Sequence, residues 1–321
     1  MSSRYLLDPE LVAGLEAMPV FPQFTAESLP QIRALMQEFA KLQFEQTSVE
    51  GIEISEERVP GPTGAPPVRV VIYRPTGADG LLPVFFHIHG GGLILGTADL
   101  GRAGSVEIAR THQSVVISVD YRLAPETPFP GPIEDCFAAF QWMSANAKTL
   151  GIDTRRIVIG GESAGGGLAA ALAILARDRG AAPIASQMLV YPMLDDRSCT
   201  AYEHAYVGEF VWTRGSNDFG WRSYLGSAPG GKDVSPYAAA ARLEDFRGLP
   251  PAFIATGALD LFLEEDLDYA RRLIRAGVPT ELHVYPGAFH AFNMIVDSRV
   301  AQAFSRDYRN ALGKAFAKRP A

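Results

Sequence analysis

The sequence predicts an α/β fold, a mostly parallel sheet covered by helices on both faces. From residue 83 onward, short β-rich runs are separated by longer stretches of helical character, and strand and helix alternating in this way imply parallel pairing. The runs are "PVFFHIH", "SVVISVD", "RIVIG", "SQMLVYP", "AFIATG" and "ELHVYP", with helix-like segments at 132–148, 164–177 and 263–276 among them. The composition agrees: 321 residues, 47% hydrophobic and 20% charged, supply apolar material for one large domain or two smaller ones. Neither repeats nor low-complexity tracts nor an obvious linker divide the chain.

Ahead of this alternation the first fifty residues have helical character. Asp8 is placed to cap a helix opening at Pro9, and Ser28-Leu29-Pro30-Gln31 has capping-box spacing before Ile32, Leu35, Met36 and Phe39 at helical intervals. The period then changes to that of strands. "VEGIEISEERV" and "PPVRVVIYRP" alternate, and the turn formers "PGPTGA" between them predict an antiparallel pair. Further on, about sixty residues separate the strand ending at Pro192 from the one starting near Ala252, far more than a compact connection uses. Residues 193–235 are therefore expected to form an insertion above the sheet.

The net charge of -7 and the scattered arginines give no footprint for a polyanion, so nucleic acid is not an expected partner. The apolar runs are shorter than the roughly 18 residues of a membrane-spanning helix, and the opening "MSSRYLLDPELVAG" lacks the pattern of a signal peptide. A cytoplasmic protein with no membrane span is expected. Cys136 and Cys199 lie far apart without a C-x-x-C, which predicts two small buried hydrophobes and neither a disulfide framework nor a zinc site.

The chemistry centres on "GGESAGGG", residues 160–167, in which Gly161-Glu162-Ser163-Ala164-Gly165 matches G-x-S-x-G. The motif has the context that gives it meaning, a strand before it and the alanine-rich segment "GGGLAAALAILARD" after it. A chain that turns from strand to helix within three residues forces the serine into a strained conformation, and glycines on either side avoid collisions with neighbouring backbone. By itself the motif also fits a glycine-rich contact between helix and strand.

A serine hydroxyl is a poor nucleophile at neutral pH and needs a base, which in turn needs an acid to fix its tautomer. Motifs of this type run in the order nucleophile, acid, histidine. Downstream of Ser163 stand His204 in the insertion, His283 within the strand "ELHVYP", and His290 in the loop "PGAFHAF" at that strand's carboxyl end. His290 is the candidate base, because functional residues concentrate on such loops. Asp260, just past the strand "AFIATG", is the candidate acid; its other reading is a helix N-cap. Glu264, Glu265 and Asp266 read as an acidic first helical turn favoured by the helix dipole.

An oxyanion intermediate needs backbone donors, and His89-Gly90-Gly91-Gly92 follows another strand. Successive glycines let N–H groups face a ligand without steric cost. Gly91, Gly92 and Ala164 are the expected donors, with His89 holding the loop by hydrogen bonding. His87 and His89 lie two apart and so invite a metal pair, but a third ligand at suitable spacing is missing from the sequence, and no metal is expected.

With H-G-G-G, G-E-S-A-G-G, Asp260 and His290 in this order, and "SVDYRLAPETPFPGPIEDC" at 118–136, the chain resembles the hormone-sensitive-lipase-like branch of α/β-hydrolases, the bacterial family IV esterases. The similarity covers roughly residues 60 to 318. It implies an α/β-hydrolase fold with a mostly parallel eight-stranded sheet, and a helical cap built from residues 1–46 and the insertion 193–235. The catalytic domain is then 47–192 and 236–321. The resemblance also implies a serine carboxylesterase acting on short- to medium-chain acyl esters of small molecules through an acyl-enzyme on Ser163, without cofactor; a homodimer is compatible with it. Two positions depart from the family pattern: Glu162 stands where Asp is commoner, and Leu261 where proline often follows the acid.

Asp120, Tyr121, Arg122 and Glu126 are expected to brace the loop beneath the oxyanion donors, and Asp195, Asp196 and Arg197 to anchor the start of the cap. Of the insertion's aromatics, Tyr202, Tyr206, Phe219, Trp221 and Tyr224 are expected to pack within the cap, and Phe210 and Trp212 to wall an acyl pocket. An amidase, peptidase or lactonase would use the same triad. A receptor that kept the fold without activity would be expected to lack the histidine.

Overall fold

The computed structural model describes residues 2–18, 23–199 and 204–317. Two helices open the chain, α1 (Pro9–Ala17) and α2 (Leu29–Gln46), followed by β1 (Ile52–Val59), β2 (Val68–Pro75) and β3 (Leu82–Ile88). Then come α3 (Arg102–His112), β4 (Val115–Asp120), α4 (Gly131–Ala145), the short α5 (Ala147–Leu150) and β5 (Ile152–Glu162). The remainder is α6 (Ala164–Asp178), β6 (Ser186–Val190), α7 (Arg214–Leu225), β7 (Ala252–Gly257), α8 (Leu263–Arg275), β8 (Thr280–Tyr285) and α9 (Arg299–Phe316).

All eight strands join one sheet in the order β1-β2-β4-β3-β5-β6-β7-β8. β2 runs antiparallel to β1 and β4, and every pair from β4 to β8 is parallel. The two-residue period of a strand divides the side chains between two cores. Val84, Phe86 and Ile88 of β3 join Leu168 and Leu172 of α6 and Phe137 and Phe140 of α4 on one face. Phe85 of β3 and Val116 of β4 join Val106 and Ala109 of α3 and Phe304 and Leu312 of α9 on the other. A sheet buried on both sides explains why its central strands lack polar alternation.

Because β3, β5, β6, β7 and β8 are adjacent and parallel, the loops that begin at His89, Ser163, Tyr191, Ala258 and Pro286 leave from one rim of the sheet. This topology brings residues more than a hundred positions apart into one neighbourhood.

The sharpest local constraint lies where β5 passes into α6. A β-carbon at Gly165 would stand 2.0 Å from the Ile88 carbonyl oxygen, and one at Gly161 would stand 2.1 Å from the same oxygen. Any side chain there would push β3, β5 and α6 apart. Glycine lets the helix start against the end of β3, and that contact fixes the direction in which residue 163 leaves the sheet.

Asp8 caps α1, its carboxylate accepting from the Glu10 amide at 2.9 Å. The capping-box reading of Ser28 is corrected. Its hydroxyl accepts from the Thr25 amide at 2.9 Å and donates to the Gln23 carbonyl at 2.8 Å. The turn entering the helix uses up the side chain that was expected to serve Gln31. α2 nonetheless buries Leu29 and Ile32 in the larger core; Leu35 is exposed and Met36 half-buried, while the Phe39 side chain lies outside the described set.

Between β6 and β7 the chain forms α7, which buries Trp221 and Tyr224 completely. Phe219 stacks on Phe24 with ring centres 6.3 Å apart, and Phe24 also meets Trp212 at 5.7 Å, so the N-terminal segment and the insertion touch. Tyr206 is exposed rather than packed, and Tyr202 lies outside the described residues.

Replacing Gly165 with alanine is expected to lower stability by about 3 kcal/mol, since the neighbour in the way is main chain that cannot rotate aside. Urea unfolding of Gly165→Ala checks this; a midpoint equal to wild type would contradict the close approach of α6 to β3.

Candidate active site

Ser163 sits alone between β5 and α6 with φ 56° and ψ −122°. That conformation is costly for a residue with a side chain, of order 1–3 kcal/mol, and persists because its surroundings over-determine it. The Ser163 amide donates to the Val190 carbonyl at 2.9 Å, and the Ser163 carbonyl accepts from the amides of Gly167 and Met193, each at 3.0 Å. With both main-chain groups tied to β6, the loop after it and α6, the hydroxyl is the part of the residue left to point away from the sheet.

The loop after β8 brings His290 to it. His290 Nε2 lies 3.0 Å from Ser163 Oγ, and His290 Nδ1 lies 2.8 Å from Asp260 Oδ2. The other carboxylate oxygen of Asp260 accepts from the Phe262 amide at 3.0 Å, so the residue also serves the turn ahead of α8. Asp260 is wholly buried, and Ser163 and His290 nearly so. Phe262 meets the imidazole edge-on at 5.3 Å between ring centres, and Tyr191 lies 4.6 Å away at a tilt. The Tyr191 hydroxyl donates to Asn293 at 2.7 Å, which fixes that ring in turn. A carboxylate facing Nδ1 requires the proton on that nitrogen, leaving Nε2 to accept from the hydroxyl.

The glycine loop after β3 stands beside this row. Gly91 and Gly92 take φ values of 119° and 60°, and Gly91 accepts from the amides of Ile94 and Leu95 at 3.1 and 2.8 Å. Among the described residues the amides of Gly91, Gly92 and Ala164 donate to no main-chain carbonyl. His89 Nδ1 lies 2.8 Å from the Gly90 carbonyl, so the ring donates there and tightens the turn. The ring stacks on Tyr121 at 4.2 Å, and the Tyr121 hydroxyl donates to the His89 carbonyl at 2.9 Å.

The other motif residues are held in ion pairs and turns of their own. Asp120 accepts from the Ala98 amide at 2.9 Å, and Arg122 pairs with both oxygens of the buried Asp135 at 2.7 Å. Asp195 pairs with Arg197, while Asp196 pairs with Arg242 and accepts from the Gly230 amide. The tip of the Trp212 indole abuts the glycine loop: a β-carbon at Gly92 would be 2.1 Å from it, and the ring centre is 6.5 Å from that of His290. Phe210 is further out, edge-on to Phe289 at 6.0 Å.

Two placements add to what the sequence spacing indicates. Glu264, Glu265 and Asp266 form the acidic first turn of α8 as expected, but Glu265 and Asp266 are buried while Glu264 is exposed. Glu265 accepts from the amides of Leu194 and Asp195 at 2.7 and 3.2 Å, tying α8 to the start of the insertion, and burial pushes both carboxyls well above the usual range. His87 and His89 do not form a pair, because β3 ends at Ile88: His87 instead bridges Ser118 and Glu162, each at 3.1 Å. His283, within β8, contacts Glu281 at 2.9 Å, and His204 lies 4.0 Å from Glu264.

A buried serine, histidine and aspartate in hydrogen-bonded sequence, set at the carboxyl rim of a parallel sheet beside free backbone amides, define a nucleophilic hydrolase site. Residues 85–294 match the α/β-hydrolase fold family, to which this chain belongs. Within it the chain falls in the hormone-sensitive-lipase-like branch. It is 38% identical over 248 residues to carboxylesterase NlhH of Mycobacterium tuberculosis, covering 74% of this chain and 75% of the relative. Esterase LipI of the same species is 34% identical over 289 residues, covering 89% and 88%. A bacterial heroin esterase structure superposes with a TM-score of 0.94 at 39% identity, over 99% of this chain and 100% of the other.

Burial holds the His89 imidazole down to about 4, so the ring is neutral at pH 7. The unfolded chain takes up this proton first, near pH 6.5, so the contribution to stability is full above that value and lost as the pH falls toward 4. His89→Asn, which keeps a donor near Gly90, is expected to lose about 2 kcal/mol less than wild type between pH 6.5 and 4.5. Urea titrations at those two pH values measure it; parallel losses would contradict a neutral buried ring.

Proposed function

We propose that the protein is a serine carboxylesterase that cleaves short- to medium-chain acyl esters through an acyl-enzyme on Ser163. The observation that carries this reading is the hydrogen-bonded row from Asp260 through His290 to Ser163, at 2.8 and 3.0 Å. Ser163 Oγ attacks the ester carbonyl while His290 Nε2 takes its proton, and Asp260 stabilises the imidazolium that results. Negative charge gathers on the former carbonyl oxygen. The amides of Gly91, Gly92 and Ala164 receive it, with His89 keeping the loop in shape. As the tetrahedral species collapses, the proton on His290 passes to the departing alkoxide, and an alcohol leaves. Water then gives a proton to the same histidine, attacks the acyl-serine, and releases the acid as the serine recovers its proton.

Residues 1–46 and 193–235 act in this reading as a helical cap over a catalytic domain made of 47–192 and 236–321. Support comes from the rings of Phe24, Trp212 and Phe219, which join the two cap segments. Trp212 and Phe210 bound the acyl side. The indole pressed against Gly92 limits the room beside the oxyanion donors, which suits short to medium acyl groups better than long ones. A cytoplasmic setting is in keeping with Cys136 and Cys199 being free thiols. A homodimer would be read from sedimentation of the purified chain.

Ser163→Ala is expected to lower kcat on p-nitrophenyl butyrate on the order of a million-fold, and Asp260→Asn about ten-thousand-fold. Wild-type turnover by Ser163→Ala would overturn the assignment. In a series of p-nitrophenyl esters from acetate to palmitate, kcat/KM is expected to peak at eight carbons or fewer, and matched anilides are expected to be cleaved far more slowly. A peak at palmitate, or equal rates on the anilides, would contradict the substrate class.

A further inference from the structure

The glycine loop is held not only by the sheet beneath it but by a single arginine from the N-terminal helix. Arg33 of α2 donates from Nε to the Ile94 carbonyl at 2.8 Å and from Nη2 to the Ala124 carbonyl at 2.8 Å. Nη1 and Nη2 also donate to the two oxygens of Glu126, at 2.7 and 2.9 Å. Glu126 belongs to the stretch expected from the sequence to brace the loop, and its partner comes from 93 residues earlier in the chain.

Those two carbonyls are not arbitrary points of attachment. Ile94 lies in the tight turn that begins at Gly91, where the Ile94 and Leu95 amides donate to the Gly91 carbonyl. The Ala124 amide donates to the Leu93 carbonyl at 3.0 Å, so the 124 segment and the glycine loop are already paired. Arg33 closes the remaining side of this pairing. The guanidinium is planar with five donors, and here four hydrogen bonds fix its orientation.

Arg33 sits within an apolar contact: Leu29 and Ile32 of α2 lie in the same buried cluster as Leu93, Ile94, Leu95 and Ala124. One turn further along α2, Met36, Gln37 and Ala40 line a groove with Gly96, Thr97 and Leu100. Apolar packing seats the helix, and the directional hydrogen bonds of Arg33 fix the two carbonyls within that contact. The guanidinium is about a quarter exposed, and two of its four acceptors are main-chain carbonyls.

We infer that Arg33 is a positioning residue for the oxyanion donors: by holding Ile94 and Ala124 it fixes the Gly91 turn, and so couples the seating of the N-terminal helix to stabilisation of the tetrahedral intermediate. This rests on the serine esterase reading and extends it to a residue that touches neither substrate nor triad. Loss of the clamp leaves Ser163, His290 and Asp260 in place and loosens only the amides that meet developing charge. Its effect therefore belongs to the transition state rather than to substrate binding.

The test compares wild type with Arg33→Ala, Arg33→Lys and Glu126→Gln, measuring kcat and KM on p-nitrophenyl butyrate, inhibition by an alkyl trifluoromethyl ketone that forms a tetrahedral adduct, and Tm. Arg33→Ala is expected to lower kcat about ten- to a hundred-fold with KM within about two-fold, and to weaken the ketone by a similar factor. Arg33→Lys, which can still reach one carbonyl, is expected to recover part of both losses, and Glu126→Gln to lose less than Arg33→Ala. Should Arg33→Ala fail to fold, the lysine and glutamine variants carry the same comparison, with kcat and ketone affinity falling together at constant KM. A lowered Tm with kcat and ketone affinity unchanged would overturn the inference and leave a merely structural tie; a rise in KM alone would overturn it in favour of substrate contact. Absence of ester turnover in wild type would instead overturn the esterase reading on which it stands.

Discussion

The site depends on one close approach, that of the Ile88 carbonyl at the end of β3 to Gly161 and Gly165 on either side of Ser163. It forces the chain from strand to helix around a single residue at φ 56° and so commits Ser163 to a strained backbone. The strain is compensated by hydrogen bonds to Val190, Gly167 and Met193, which also determine where the hydroxyl stands. The same end of β3 continues directly into His89 and the glycine loop. Ser163 and the glycine loop, the nucleophile and oxyanion donors of the proposed mechanism, are thus set relative to each other by main-chain contact.

Around that fixed point the parallel sheet supplies the rest. β7 and β8 deliver Asp260 and His290 from the same rim, and the aromatic rings of Phe262 and Tyr191 hold the imidazole. The buried acids add a second layer. Glu265, five residues after Asp260, takes the amides of Leu194 and Asp195, so the helix that follows the acid also fastens the root of the insertion. Hydrogen bonds then continue outward from Asp195 to Ser198, from Ser198 to Asn217, and from Asn217 to the Trp212 indole at 3.3 Å. The wall against Gly92 is therefore connected to the helix behind Asp260.

Much of this was legible in the sequence because it is local. Strand runs, the G-x-S-x-G turn and the glycine loop are written in consecutive residues, and Asp260 and His290 could be chosen because parallel topology sends strand ends to one rim. Features set by long-range packing were not legible. Nothing near Arg33 indicates that it reaches Glu126, and Glu265 looks like an ordinary acidic first turn until the insertion folds over it. Ser28 has the spacing of a capping box, yet the preceding turn claims its hydroxyl. The His87 and His89 spacing suggests a shared face, but the strand stops between them. Arg33 and Glu265 gain their partners only by tertiary contact, whereas at Ser28 and at the end of β3 neighbouring local structure displaced the arrangement the spacing suggests.

The central claim is that the Ser163 hydroxyl is activated by His290 within a preformed oxyanion site. Reaction of the native protein with a fluorophosphonate, followed by peptide mass spectrometry, tests it most directly. A single adduct on Ser163, formed in step with loss of esterase activity and absent after unfolding in urea, is the predicted result. Unmodified Ser163, or full activity remaining after stoichiometric labelling there, would contradict the account.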